Sequence, residues 1–192
     1  DRSVSRGLGD VYKRQIQSGL WKLRLIPRSI RNGRYDMWLP AQGALNFGTG
    51  FTSPDSASTF TIPSAAAKAV TVGAYDAGTG SAAPFSGRGY IVEIGGSLMV
   101  KPELAAPGVN VLVPSVSGMA RVSGTSYATP FVTGSAALLM EWGIVRGNDV
   151  FLYGEKLKAY LIKGAEPLAG AAVPDTQTGW GRLCLKNSLP QA

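Results

Sequence analysis

Residues 125–142 (TSYATPFVTGSAALLMEW) are apolar on nearly every helical face and begin directly after a glycine, Gly124. A surface helix carries a polar side opposite its apolar stripe, so a helix without one needs partners on several sides. Such a helix belongs in the middle of a domain. The other apolar runs are short and β-prone: 59–62, 69–75 (AVTVGAY) and 109–113. Runs of this kind fill a sheet covered on both faces. A buried helix among short covered strands predicts an α/β architecture with a parallel sheet. A second, amphipathic helix is expected over 153–163, with Leu157, Tyr160 and Leu161 on one face and Gly164 as its stop.

The chain has 192 residues, 45% hydrophobic and 16% charged, with Gly 25 and Pro 12. These are globular proportions with many turns, which exclude a disordered chain and a coiled coil. No run is expected to reach the length of a membrane span. The net charge of +7 sits in residues 1–34, which hold nine Lys and Arg against two Asp; the remainder is balanced. A nucleic-acid partner is therefore not expected of the body of the protein. Cys184 is the single cysteine, so there is no intrachain disulfide and no thiolate zinc site. Histidine is absent, which removes the commonest general base and the commonest metal ligand together.

Along the chain, residues 1–15 (DRSVSRGLGDVYKRQ) lack apolar periodicity and read as an add-on: a scar resembling a translated sequencing adapter, or a basic disordered arm. Trp21, Leu23 and Leu25 alternate with Lys22 and Arg24 before Pro27, and 35–39 follows the turn signal Asn32-Gly33. The pattern predicts an antiparallel hairpin. Residues 42–58, 81–90 and 101–108 read as loops from their Gly, Pro and Ser content.

Chemistry concentrates at Gly124-Thr125-Ser126-Tyr127-Ala128-Thr129-Pro130. A serine in the first turn of a buried helix sits beside unpaired backbone N–H groups and the positive end of the helix dipole, where developing negative charge is stabilised. Gly124 permits the sharp turn and Ala128 keeps the space above the serine small. Taken alone, the segment is better read as an ordinary helix start in which Thr125 or Ser126 is the cap.

It does not stand alone. Gly124, Thr125, Ser126, Ala128 and Pro130 resemble the nucleophile stretch Gly-Thr-Ser-x-Ala-x-Pro of the subtilisin-like serine peptidases, and 101–108 (KPELAAPG) is similar to their Lys-Pro-Asp-x-x-Ala-Pro-Gly, with Glu103 for the usual Asp. Val70 to Tyr75 and Phe85-Ser86-Gly87-Arg88-Gly89 resemble two further blocks, in the family's order. Residues 35–40, 85–90, 139–145 and 179–183 are similar to the clostridial branch that includes the spore-germination proteases. The resemblance implies three segments: the scar or arm at 1–15, the tail of a β-rich insertion at 16–58, and the C-terminal half of a peptidase domain at 59–192. That half is a partial subtilisin-like parallel sheet with its central helix, and the insertion tail is an antiparallel β remnant.

The same resemblance implies a serine endopeptidase acting through an acyl-enzyme on Ser126, with Gly124 and Thr125 forming the nucleophile turn and the Ser126 N–H an oxyanion donor. It further implies a polypeptide substrate, with Ile62-Pro63 near the pocket for its side chain. The family's Asp and His are not in this chain, and Asn46 lacks the context of its oxyanion asparagine. Phe131 stands where many relatives carry a non-catalytic His. The chain is thus read as a fragment, inactive alone; the alternative is a non-catalytic pseudoprotease that binds or regulates. A Ser-Lys pair with Lys101 is disfavoured because 101–108 reads as surface. Glu93, Glu103, Asp149 and Asp175 are too scattered to propose a metal site, and the calcium found in the family is not assignable to any residue here.

Overall fold

The computed structural model describes residues 18–33, 35–40, 44–60 and 62–190. The chain divides into two compact units, Asp1–Leu39 and Pro40–Ala192. The described part of the first unit contains neither strand nor helix, so the hairpin expected over 20–26 and 35–39 is not formed. Leu20, Leu23, Leu25 and Ile26 are as exposed as Lys22 and Arg24, which leaves the alternation no buried side to face. Two strands without a third strand or a helix beneath them are marginal in water. The segment 1–15 lies outside the described residues.

The second unit runs β1 (Val72–Asp76), β2 (Ser81–Ala82), β3 (Tyr90–Ile94), β4 (Ser97–Lys101), β5 (Leu104–Pro107), β6 (Val111–Ser115), β7 (Gly118–Val122), α1 (Thr125–Met140), α2 (Gly154–Lys163) and α3 (Leu185–Ser188). Its centre is the parallel pair β1 and β5, in register from Val72 opposite Leu104 to Tyr75 opposite Pro107, with β2 antiparallel on the far edge of β1. The free edge of β5 is paired in turn: Ala105 N–H donates to Gly181 and Leu183 N–H to Ala105, both at 2.8 Å. The expected α/β arrangement with a parallel sheet is present. Two antiparallel hairpins, β3 with β4 and β6 with β7, stand apart from it. The β3–β4 turn is Gly95-Gly96, both at positive φ, as a two-residue hairpin turn demands.

Several expectations are corrected. The supposed surface loop at 101–108 is the most deeply buried segment: Lys101, Leu104, Ala105 and Ala106 are fully buried and Glu103 is 2% exposed. Its Lys, Pro and Glu mimic loop composition, yet each charge finds a partner inside. The strand expected at 59–62 is not seen at Thr59, Phe60 or Ile62; Thr59 instead exchanges bonds with Arg88. The run at 109–113 becomes β6, which is shifted to 111–115 and lies in an exposed hairpin, with Leu112 and Met119 open to solvent. Residues 81–90, expected as a surface loop, are mostly irregular between β2 and the first residue of β3, but Ala83 and Ser86 within them are buried.

The helix expected at 125–142 is α1, extended by a π-helical turn, Glu141–Val145. That extension makes Thr125–Val145 long and apolar enough, by length and composition, to cross a membrane, which the sequence reading did not anticipate. Its stripe Ala128, Val132 and Leu139 is buried within this unit, whereas Tyr127, Phe131 and Leu138 are exposed. α2 buries Leu161 and packs Leu157 and Tyr160 against the core, and Gly164 ends it. The face expected from the sequence is the face used. Leu104, Leu139, Leu152 and Leu161 join Ala74, Ala106 and Ala128 in one cluster.

Leu139→Ala or Leu104→Ala should cost about 2–5 kcal/mol in chemical denaturation, while Leu112→Ala should change stability by no more than about 0.5 kcal/mol. A pH test follows from the surface. A hydrogen bond from Arg182 holds the Glu166 carboxyl below its ordinary value, and Lys156 does the same for Asp149. Because the folded values are depressed, this stabilisation is present at neutral pH and is lost as pH falls through them. Arg182→Gln should therefore be less stable than the parent at pH 7, with the difference shrinking on acidification through the carboxylate range.

Candidate functional site

The parallel strands β1 and β5 end at Asp76 and Pro107, and the chain then reaches Gly108. Gly108 N–H donates to Tyr75, and its carbonyl accepts Gly124 N–H at 2.8 Å, which ties the start of α1 to the carboxyl ends of the strands. Space here is minimal: a Cβ on Gly108 would lie 2.6 Å from the Ala74 Cβ and 3.0 Å from the Gly124 carbonyl. Only glycine lets the helix start approach the sheet this closely.

Gly124 is the N-cap of α1, at φ 153 and ψ 155, and it has no side chain with which to cap. Neither Thr125 nor Ser126 takes the capping position, so the ordinary-cap reading does not describe this helix. Ser126 is exposed, and its hydroxyl makes no hydrogen bond among the described residues. It lies in the first turn, where backbone N–H groups have no intrahelical acceptor. Pro130 is the sixth helical residue and lacks the N–H that would otherwise bond to the Ser126 carbonyl. Thr129 and Thr133 hydroxyls brace the following turns by donating to the carbonyls of Thr125 and Thr129, at 3.0 and 3.2 Å.

Beside Ser126 is an open cleft of about 260 Å³. Thr125, Ser126 and Thr129 line one side, residues 69–72 a second, and Pro63 with Ser64 a third. Of the Ile62-Pro63 pair expected near a pocket, Pro63 lines it and Ile62 is 92% exposed. Asn110, at positive φ, is held by the Ser123 hydroxyl, which accepts its N–H, and Arg121 donates to its carbonyl. These bonds tie the base of the β6–β7 hairpin to the turn that leads into Gly124.

The remaining candidates separate. Lys101 is desolvated, contrary to the surface reading, but its Nζ is bound to Glu103, to the Ala69 carbonyl and to the Thr71 hydroxyl, which leaves it no role as a partner of Ser126. Asp149 pairs with Lys156 and Tyr160, and Asp175 caps its own turn through Gln177 and Thr178 N–H groups. Glu93 is exposed in β3. Asn46 accepts through its carbonyl from Thr49 N–H in a surface turn. In the Phe85–Gly89 block, the Ser86 hydroxyl accepts Ala74 N–H and Gly89 N–H donates to Thr176. The sequence reading missed Thr71, whose signal was an isolated hydroxyl inside an apolar strand run.

The family model described as the Subtilase family matches residues 12–181. Among solved structures, the Clostridium perfringens CspB protease is 44% identical, with a TM-score of 0.67, over 75% of this chain and 30% of that one. The prenylagaramide maturation protease PagA is 28% identical, TM-score 0.54, over 70% of this chain and 46% of that one. A PII-type proteinase of Lactococcus lactis subsp. cremoris is 38% identical over 63 residues, 32% of this chain and 3% of that proteinase. The chain thus spans less than half the length of each.

Two glycines offer opposite outcomes. Gly108→Ala should lower stability by about 1–3 kcal/mol through overpacking. Gly134→Ala, with nothing within 4 Å of the added Cβ on an exposed helical face, should raise it by about 0.5–1 kcal/mol in the same melt.

Proposed function

The chain belongs to the subtilase family, and from that premise we propose that it supplies the nucleophile-bearing part of a serine endopeptidase, with Ser126 as the nucleophile. The observation that carries this reading is an exposed, uncommitted serine hydroxyl in the first turn of α1, above the strand ends and beside a cleft. Attack of Ser126 Oγ on a scissile carbonyl forms a tetrahedral intermediate, whose oxyanion the Ser126 N–H and the helix dipole stabilise. Collapse expels the amine and leaves an acyl-enzyme that water hydrolyses. The cleft between 63–64 and 69–72 holds the substrate side chain next to the scissile bond. Gly124 supplies the turn and Thr125 the backbone that present the serine.

The general base is a histidine from polypeptide outside these 192 residues, since none lies within them. Its carboxylate partner comes with it. The exposed apolar side chains of α1, Tyr127, Phe131 and Leu138, form the face against which that polypeptide packs, which accounts for a helix apolar all round but buried here on one stripe. Without the histidine only small effects of binding and oxyanion stabilisation remain, so the chain by itself has no triad-dependent activity.

A fluorophosphonate serine probe tests the assignment on the protein that joins this chain to the triad-bearing segment. Labelling of the parent and none of Ser126→Ala is the expected result. A folded parent that does not label would contradict the assignment and favour a non-catalytic pseudoprotease with a binding role.

A further inference from the structure

Glu103 is a carboxylate buried beneath the cleft, between two lysines. Its Oε1 lies 2.7 Å from Lys101 Nζ and 2.5 Å from Lys158 Nζ, with Lys101 fully buried and the Lys158 side chain 14% exposed. Burying charges costs several kcal/mol each, and an apolar set of the same volume is often as stable or more so. What such a cluster supplies is fixed geometry, and here the geometry it fixes is the cleft wall.

Glu103 Oε2 accepts the Thr71 N–H at 2.7 Å, and Glu103 N–H donates to the Thr71 carbonyl at 3.0 Å. Lys101 Nζ donates to the Ala69 carbonyl at 2.7 Å and to Thr71 Oγ1 at 3.2 Å. With its lone pair so engaged, the Thr71 hydroxyl donates its proton to the Ser64 carbonyl at 2.6 Å. Lys158 reaches the carbonyl of Ala67, in the connection between those two walls. Every member of the cluster therefore holds backbone within 64–71, and Ser64 and 69–72 are two sides of the cleft beside Ser126.

We propose that Glu103, with Lys101 and Lys158, is a positioning group that sets the width of this cleft and so determines how strongly the enzyme prefers a substrate with an apolar side chain before the scissile bond. The proposal rests on the reading of Ser126 as nucleophile. In the wall it positions, Val70 and Val72 lie on the side that packs against the core cluster of α1 and give the cleft apolar atoms next to the polar ones of Thr125, Ser126 and Thr129.

The test uses the protein that joins this chain to the triad-bearing segment, as the parent, as Glu103→Gln and as the double variant Lys101→Met/Glu103→Leu. The double variant removes one charge of each sign and leaves Lys158 a route to solvent, so it should melt close to the parent. Amide hydrogen exchange at 69–72 should nonetheless quicken by about tenfold or more in both variants, with β5 unchanged. The kcat/KM preference for a peptide with Leu over its Gly counterpart before the scissile bond should fall about tenfold, carried by KM for the Leu peptide, within the range that one hydrophobic pocket contributes. Unchanged exchange at 69–72 in a folded variant would overturn the proposal. So would equal losses on the Leu and Gly peptides in step with a lower melting temperature, which is what a merely structural role predicts. If the parent does not react with the serine probe, the assignment of Ser126 fails, and the exchange measurement still decides whether the cluster holds the wall.

Discussion

Everything at the site depends on how closely the first turn of α1 approaches the ends of β1 and β5. Gly108 is the point of contact, wedged between the Ala74 Cβ, the Gly124 carbonyl and the Ala128 Cβ, with a 2.8 Å hydrogen bond to Gly124 N–H. Alanines at 74, 106 and 128, all fully buried in the same core cluster, keep both surfaces low. A larger side chain at any of these places would lift the helix start and move Ser126 away from the cleft. The close packing of protein interiors leaves no slack to absorb such a change.

The cleft is fixed from two directions by different physics. On one side α1 contributes backbone dipoles and free N–H groups at Ser126. On the other, the Lys101–Glu103–Lys158 cluster holds the backbone of 64–71 by charge-assisted hydrogen bonds, which are shorter and stronger than neutral ones. Thr71 ties Ser64 to the 69–72 wall on that second side, because its hydroxyl donates to the Ser64 carbonyl while its N–H and carbonyl are held by Glu103. The arrangement accounts for a lysine and a glutamate in the buried segment that leads into β5, next to the fully buried Leu104, Ala105 and Ala106.

The helices were legible because their signals are local. Gly124, the apolar run after it, and the Leu157, Tyr160 and Leu161 face each follow from periodicity and turn chemistry. The place of Ser126 in the first turn of α1 was legible from Gly124 and the apolar run that follows it. The segment 101–108 was misread because Lys, Pro and Glu mark loops on average, and only the fold brings Thr71, Ala69 and Lys158 close enough to satisfy them. The 20–39 alternation failed for the opposite reason: a correct local pattern formed no strand for want of a partner surface. Tertiary partners, which a sequence does not display, decided both cases.

The central claim is that Ser126 is the nucleophile and that the adjoining cleft receives the substrate side chain. A crystal structure of the protein joined to its triad-bearing segment, soaked with a peptide aldehyde ending in leucinal, tests both together. The account predicts a hemiacetal bond from Ser126 Oγ to the aldehyde carbon, with the leucine side chain between Ser64 and residues 69–72. An aldehyde bound elsewhere, or seated in the cleft with Ser126 unmodified beside an intact histidine, would contradict it.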